Sequence, residues 1–181
     1  MAVNDITQSQ LIKSVRDFCL NFASPALKDI EHVIVGYTNN LTPPSDGNDF
    51  CVVTPISERR LHTTKETDLK DVDSVQLSEY LETVVQIDCY STNRKDARTR
   101  VESYELVARS RYGVDHFKKY QVDCQHADIC RNTTAILDSD QYVSRWTTTL
   151  TLGIWKQVEI TQDYFTDIDP ELINVDAQFK P

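Results

Sequence analysis

The sequence predicts an α+β fold: a mostly antiparallel β-sheet with two or three helices packed on one face and an extended β-hairpin arm. Three observations carry this. Near the C-terminus Trp146, Thr148, Leu150, Leu152 and Ile154 alternate with Arg145, Thr147, Thr149, Thr151 and Gly153, the pattern of a strand with one apolar and one threonine-rich face. Two stretches hold apolar residues at helical spacing: Leu11, Val15, Phe18, Cys19 and Phe22 in the first, Ala97, Val101, Tyr104 and Ala108 in the second. Between them Arg59 to Ser74 is polar, threonine-rich and free of Gly and Pro. A sheet with one apolar face needs helices on that face and leaves the other polar.

The first element is an amphipathic N-terminal helix. Thr7 and Gln10 have the spacing of a capping box, and Pro25 stops the helix soon after its apolar stripe ends. His32 to Tyr37 is short and β-branched and reads as a strand, and Asn39 to Asp49, with Pro43, Pro44, Asp46 and Gly47, as a turn-rich loop. Phe50 to Ile56 is the next strand; Pro55 has no N–H to donate, which puts that end at a sheet edge or a bulge. Arg59 to Ser74 has little to bury beyond Leu61, Leu69 and Val72, so it leaves the body as the arm. Ser78 to Ser91 is a long strand, with Val85, Ile87 and Cys89 on one face and Val84, Gln86, Asp88 and Tyr90 on the other.

A helix follows at once, capped by Ser91 or Thr92, with Arg98 and Glu102, then Glu105 and Arg109, paired four apart on its outer side. Gly113 ends it, and Val114 to Tyr120 adds a short further turn. After a loop over Gln121 to Arg131, Thr133 to Asp138 and the long run Gln141 to Ile160 form strands joined at Ser139 and Asp140. Residues 1–181 read as a single domain, with the arm at about 59–74 and no repeat or linker.

Twenty-eight Asp and Glu against nineteen Lys and Arg give a net charge of −9 and a pI near 4.8. Bulk adhesion to nucleic acid is disfavoured, because it rests on cations that release counterions from phosphates. The four glycines are Gly36, Gly47, Gly113 and Gly153, no two within ten positions, whereas P-loops and dinucleotide fingerprints need them clustered. The nucleophile elbow, the zincin helix and the calcium loop are absent as strings. Five cysteines, an odd number, point to reduced thiols in a cytoplasmic setting. The polar start MAVNDITQSQ lacks a secretory pattern, no apolar run approaches the roughly 20 residues of a bilayer span, and the glycosylation strings at Asn40 and Asn132 read as chance matches.

Four groups are candidates for chemistry. Cys124, His126 and Cys130, with His116 nearby, carry zinc-ligand chemistry, but the two thiols stand too far apart for a zinc knuckle and lack a second pair. Cys124 with His116 or His126 is the one thiol–imidazole pairing an enzymatic reading would require, and free thiols more often fill space. The acid pairs Asp71 and Asp73, Asp138 and Asp140, and Asp167 and Asp169 sit where turns are expected, which explains them without a cation. Arg94, Lys95, Arg98 and Arg100 open the second helix against its dipole, as a solvated face or a contact for an acidic partner. No catalytic, cofactor or metal residue is assigned; Arg59, Arg60 and Lys65 on the arm, with Arg94 and Arg98 on the helix, are the expected contact residues.

Several strings then stand in a familiar order: VVTPISERR (Val52 to Arg60), QIDCYS (Gln86 to Ser91), ARSRYG (Ala108 to Gly113) followed by DHFKKY, HADICR (His126 to Arg131), and SRWTTTLTLGIWKQVEITQDYF (Ser144 to Phe165). Over roughly residues 10 to 170 the chain resembles the neck or tail terminator family of long-tailed bacteriophages. That resemblance implies a structural virion protein, made in the host cytoplasm, that forms a homo-oligomeric and usually hexameric ring. The ring caps the tail tube protein, stops its polymerisation and offers the surface joined by the neck or head connector protein, while genomic DNA passes through without specific binding. A ring needs heterologous contacts whose rotation closes. The alternative is a monomeric head completion or connector adaptor that binds the portal side of the neck.

Overall fold

The computed structural model describes residues 8–37, 44, 49–69, 74–134, 136–137, 141–142 and 144–161. Helix α1 (Gln8–Phe22) buries Leu11, Val15, Phe18 and Cys19, the stripe expected of it; Thr7 of the capping box lies outside the described residues, as do Ser139, Asp140 and the three acid pairs. A 3₁₀ turn (Ile30–His32) takes the start of the expected strand, so β1 shrinks to Val33–Val35. Asp29 caps that turn by accepting from the Glu31 N–H. β2 (Phe50–Arg60) runs beside β1 in parallel, the one parallel pair of the seven-stranded sheet. Among the described residues β1 pairs with β2 as far as Val53 and leaves that edge open at Pro55, and the register of β2 slips between Pro55 and Ser57.

Two strands of eighteen residues organise the molecule. β4 (Ser74–Ser91) and β9 (Ser144–Thr161) are antiparallel partners from end to end in one unbroken register, a span of roughly 60 Å at ~3.4 Å per residue. On one side of β4 lie β2 and then β3 (Lys65–Leu69), end to end; on the far side of β9 lie β5 (Asp123–Ala127) and β6 (Arg131–Asn132). The short pair β7 (Ile136–Leu137) and β8 (Gln141–Tyr142) stands apart.

Alternation decides the faces. Cys51, Val53, Val85, Ile87, Cys89, Leu150 and Leu152 share the face on which the helices pack, and they join Val15, Phe18, Val101, Tyr104 and Phe117 in one core. Helix α2 (Arg94–Ala108) buries Ala97, Val101, Tyr104 and Ala108 as its spacing requires. The polar face satisfies itself: Asp88 accepts two hydrogen bonds from Arg145 and one from Thr147, and Arg145 lies over the Tyr90 ring, which stacks on Phe50.

Several local expectations are corrected. Asn93, and not Ser91 or Thr92, caps α2, while the Ser91 hydroxyl accepts from the Asn93 N–H. Gly113 does not end α2; it lies inside α3 (Arg111–Lys118), where a Cβ would meet the Val107 carbonyl at 2.5 Å. The expected loop over Gln121 to Arg131 contains β5, and in the expected strand Thr133 to Asp138 the described residues Thr133 and Thr134 lie outside any strand while Ile136–Leu137 form β7; Ala135 and Asp138 lie outside the described residues. Polar sequence concealed β5, because an edge strand with three exposed positions has no need of apolar alternation.

Candidate interaction site

The arm is wider than a hairpin. β3 pairs with the first five residues of β4, and the same stretch of β4 pairs with the last five residues of β9, so the projection is a three-stranded ribbon, β3–β4–β9. None of its residues from 65–69, 74–80 or 155–161 joins the main core cluster, although Val75, Ser74 and Ser78 are themselves buried. Register sorts its side chains. Glu66, Asp68, Val75, Leu77, Lys156, Val158 and Ile160 share one face; Lys65, Thr67, Gln76, Gln157 and Glu159 share the other. Val158 and Ile160 are about half exposed.

The base of the ribbon is held by Tyr80. Its ring crosses β9 at Gly153, its hydroxyl donates to Asp123 Oδ2 at 2.9 Å, and Gln125 Nε2 donates to that hydroxyl at 3.0 Å. His62 and Trp155 pack on the same ring. Glycine is needed here because a Cβ at position 153 would lie 1.8 Å from the Tyr80 hydroxyl. Burial raises the Tyr80 phenol, so it stays protonated and able to donate.

The five expected contact residues fall into two groups. Arg59 and Arg60 lie at the base of the ribbon and Lys65 opens β3, whereas Arg94 and Arg98 are on α2. Arg98 lies over Trp146 and Lys65 is level with Gln157, a separation of roughly 36 Å along β9 at ~3.3 Å per residue. Arg59 pairs with Glu82 at 2.7 Å, Arg60 with Glu79 at 3.3 Å and Arg98 with Glu102 at 2.6 Å, so each of these cations has an acid beside it. A hydrogen bond from the Thr64 hydroxyl and then one from Arg60 hold the Glu79 carboxyl below its usual range. Arg100 turns inward: it is fully buried, donates from Nε to the Pro25 carbonyl, and sets Nη2 3.7 Å from Asp49 Oδ2 as an ion pair. Around Arg98 a groove of about 600 Å³ is lined by Glu102, Leu106, Arg109, Ile129 and Trp146, with Leu106 and Ile129 largely exposed.

The thiol and imidazole candidates are not brought together. His116 is a core residue, ringed by Phe18, Phe22 and Phe117, with Nε2 3.0 Å from the Ser14 carbonyl. Burial pushes the Cys124 thiol up to about 11, and His126 lies exposed beside Asp128 at 3.3 Å. Among the described residues no group of three or more His, Cys, Asp or Glu is placed to hold a metal. A pair that spacing did not suggest is Cys51 and Cys89, cross-strand partners with sulfurs 3.0 Å apart. Burial drives the Cys89 thiol up; burial opposes ionisation of Cys51 too, but its hydrogen-bond contacts with Cys89 and Tyr104 and the charge of Arg100 outweigh it. Neither sulfur reaches the surface to meet a substrate.

A projecting ribbon, paired surface charges and buried thiols describe a molecule built for contacts. The family model described as phage neck terminator protein matches residues 9–178. The chain belongs to that family. No curated protein matches it. As a neck terminator it is a structural component of the phage neck, and among the described residues no helix is long and apolar enough to cross a membrane.

Proposed function

We propose that this neck terminator works as a closed homo-oligomeric ring, hexameric as the sequence resemblance implies. The ring caps the tail tube, stops its polymerisation and presents the surface joined by the head connector, and DNA passes through its lumen. The observation that carries the reading is the β3–β4–β9 ribbon, a projection outside the core of its own chain with apolar side chains left exposed, as a surface reserved for a neighbour would have. Net charge supports the passage of DNA: at −9 per copy, a ring of several copies repels phosphate and holds none of it by counterion release. In this reading Arg59, Arg60 and Lys65 belong to the ribbon contact and Arg94 and Arg98 to a second surface beside the Trp146 groove.

Arg60 and Leu81 are register partners, so residues 61–80 can be replaced by an Asn-Gly turn that joins them directly. The expected result is a folded monomer that forms no annulus in negative stain and leaves tails uncapped, while the full chain gives closed annuli. Rings and normal caps from the shortened chain would refute the role of the ribbon. A monomeric mass for the full chain, with and without tail tube protein, would favour the connector adaptor instead.

A further inference from the structure

The edge of β9 that faces β5 is used only as far as Gly153. From Ile154 to Thr161 that edge has no strand partner among the described residues, and β3 has none on its outer side. Open edges are ordinarily guarded by proline, by bulges or by inward charges. This one has no proline, no register slip and only Lys156 and Glu159 as charges, while Trp155, Val158 and Ile160 are 42%, 53% and 46% exposed. We propose that the outer edge of β9 at Gln157–Thr161 takes up β3 of a second copy of the chain, so that ribbons continue into one another strand by strand.

Three features of the register select this occupant. First, β3 and β9 are both antiparallel to β4 and therefore run the same way, so copies set side by side with one face outward bring the β9 edge of one against the β3 edge of the next in a head-to-tail contact. Second, the lengths agree. Within one chain Lys65 to Leu69 lie level with Gln157 to Thr161, so copies at the same height place all five residues of β3 along the last five of β9. Third, the charges complement on both faces. In that placement Val158 sits beside Glu66, Lys156 is diagonal to Glu66 on one face, and Glu159 is diagonal to Lys65 on the other, within reach of long side chains. Joining β3 to β3 about a two-fold axis would instead set Glu66 of each copy against Asp68 of the other. Within its own chain Lys156 reaches Glu58 at 3.5 Å, but both are about half exposed, and such a pair is easily exchanged for another.

This inference rests on the self-association proposed above, and its test separates the two. Full-length variants Lys156→Glu, Glu66→Lys with Asp68→Lys, and all three together are compared with the wild type by light scattering and sedimentation, with circular dichroism to establish folding. Each half alone is expected to weaken association by about tenfold, and the combined swap to recover most of the loss. In parallel Glu66→Cys with Val158→Cys is oxidised with copper phenanthroline. Inside one chain the two positions are separated by β4, roughly 10 Å at ~4.8 Å per strand, beyond the ~7 Å Cα limit of a disulfide, so a mapped 66–158 link arises only between copies. A wild type that associates normally alongside indifferent charge variants and no such link overturns the strand pairing alone. A wild type that stays monomeric overturns the ring and the pairing together.

Discussion

Replacing Gly153 by alanine puts a methyl group 1.8 Å from the Tyr80 hydroxyl oxygen and 2.5 Å from the ring carbon that bears it. The ring has to swing away, and its hydrogen bonds with Asp123 and Gln125 are lost. Side-chain hydrogen bonds contribute about 0.5–1.5 kcal/mol each, less where water replaces them, so the pair is worth about 1–2 kcal/mol here. Against this, alanine removes freedom from the unfolded chain and returns about 0.4–1 kcal/mol. The net expectation for Gly153→Ala is a loss of about 0–1.6 kcal/mol, a fall in Tm of at most about 6 °C for a chain of this size. In a Tyr80→Ala background only the flexible Gln125 amide, 2.6 Å from the new methyl, has to give way, and the same substitution is expected to be close to neutral. The two changes should therefore couple by about 1–2 kcal/mol in a double-mutant cycle read by urea unfolding. Additivity within about 0.3–0.5 kcal/mol would refute the claim that Tyr80 requires glycine at this position.

Asp88→Asn leaves the one-third-exposed Arg145 without its charged partner and weakens the bond from Thr147; a loss of about 2–3 kcal/mol in urea unfolding is expected, and a loss below about 0.5 kcal/mol would show that the pair does not hold the polar face. Stability should fall on the acid side. Asp128, held low first by the Thr149 hydroxyl, and Glu79, held low by Thr64 and Arg60, contribute above the ordinary carboxylate pKa of about 4 and lose that contribution as pH drops through their lowered values. Thr149→Val should flatten this acid limb in unfolding curves between about pH 2.5 and 6, and an unchanged slope would rule Asp128 out. Cys19, Cys51 and Cys89 are fully buried, so a thiol reagent near pH 8 should leave these three unmodified until denaturant is added; rapid native labelling of them in peptide maps would contradict the packed core.

Positions that obey a period were legible in the sequence. The stripes of α1 and α2 and the alternation of β4 and β9 name the core almost residue by residue, because a side chain's direction follows from its place in the repeat. Contacts between distant parts of the chain were not. Nothing local tells Asp88 that Arg145 will lie across from it, or Cys51 that Cys89 will, since these pairings come from which strands become neighbours. The cap of α2 moved by one or two residues because Ser91, Thr92 and Asn93 are all competent caps and the exit of β4 chooses among them. The ribbon was half legible. Polar composition marked Arg59 to Ser74 as an arm, but its third strand lies at the far end of the chain, where Val158 and Ile160 extend the apolar alternation past Ile154, the last core position. That overrun was the available signal, and it pointed to apolar side chains with no helix of their own to pack against.

The same two strands that build the core build the ribbon, which determines how the ribbon can move. β4 has no Gly or Pro between Ser74 and Ser91, and β9 has only Gly153, so the ladder between them offers one weak place, directly under Tyr80. With Tyr80 laid across that point and bonded to β5, the ribbon continues the sheet as a stiff lever instead of swinging from it. Tyr80→Ala should then loosen β9 beyond the glycine and not before it. Hydrogen exchange is expected to show amides from 154 to 161 losing protection while those at 146, 147, 150 and 151, paired on both sides by β4 and by β5 or β6, keep theirs. Equal loss along the whole of β9 would mean that Tyr80 supports the sheet generally, and unchanged protection throughout would mean that pairing with β4 alone keeps the ribbon straight.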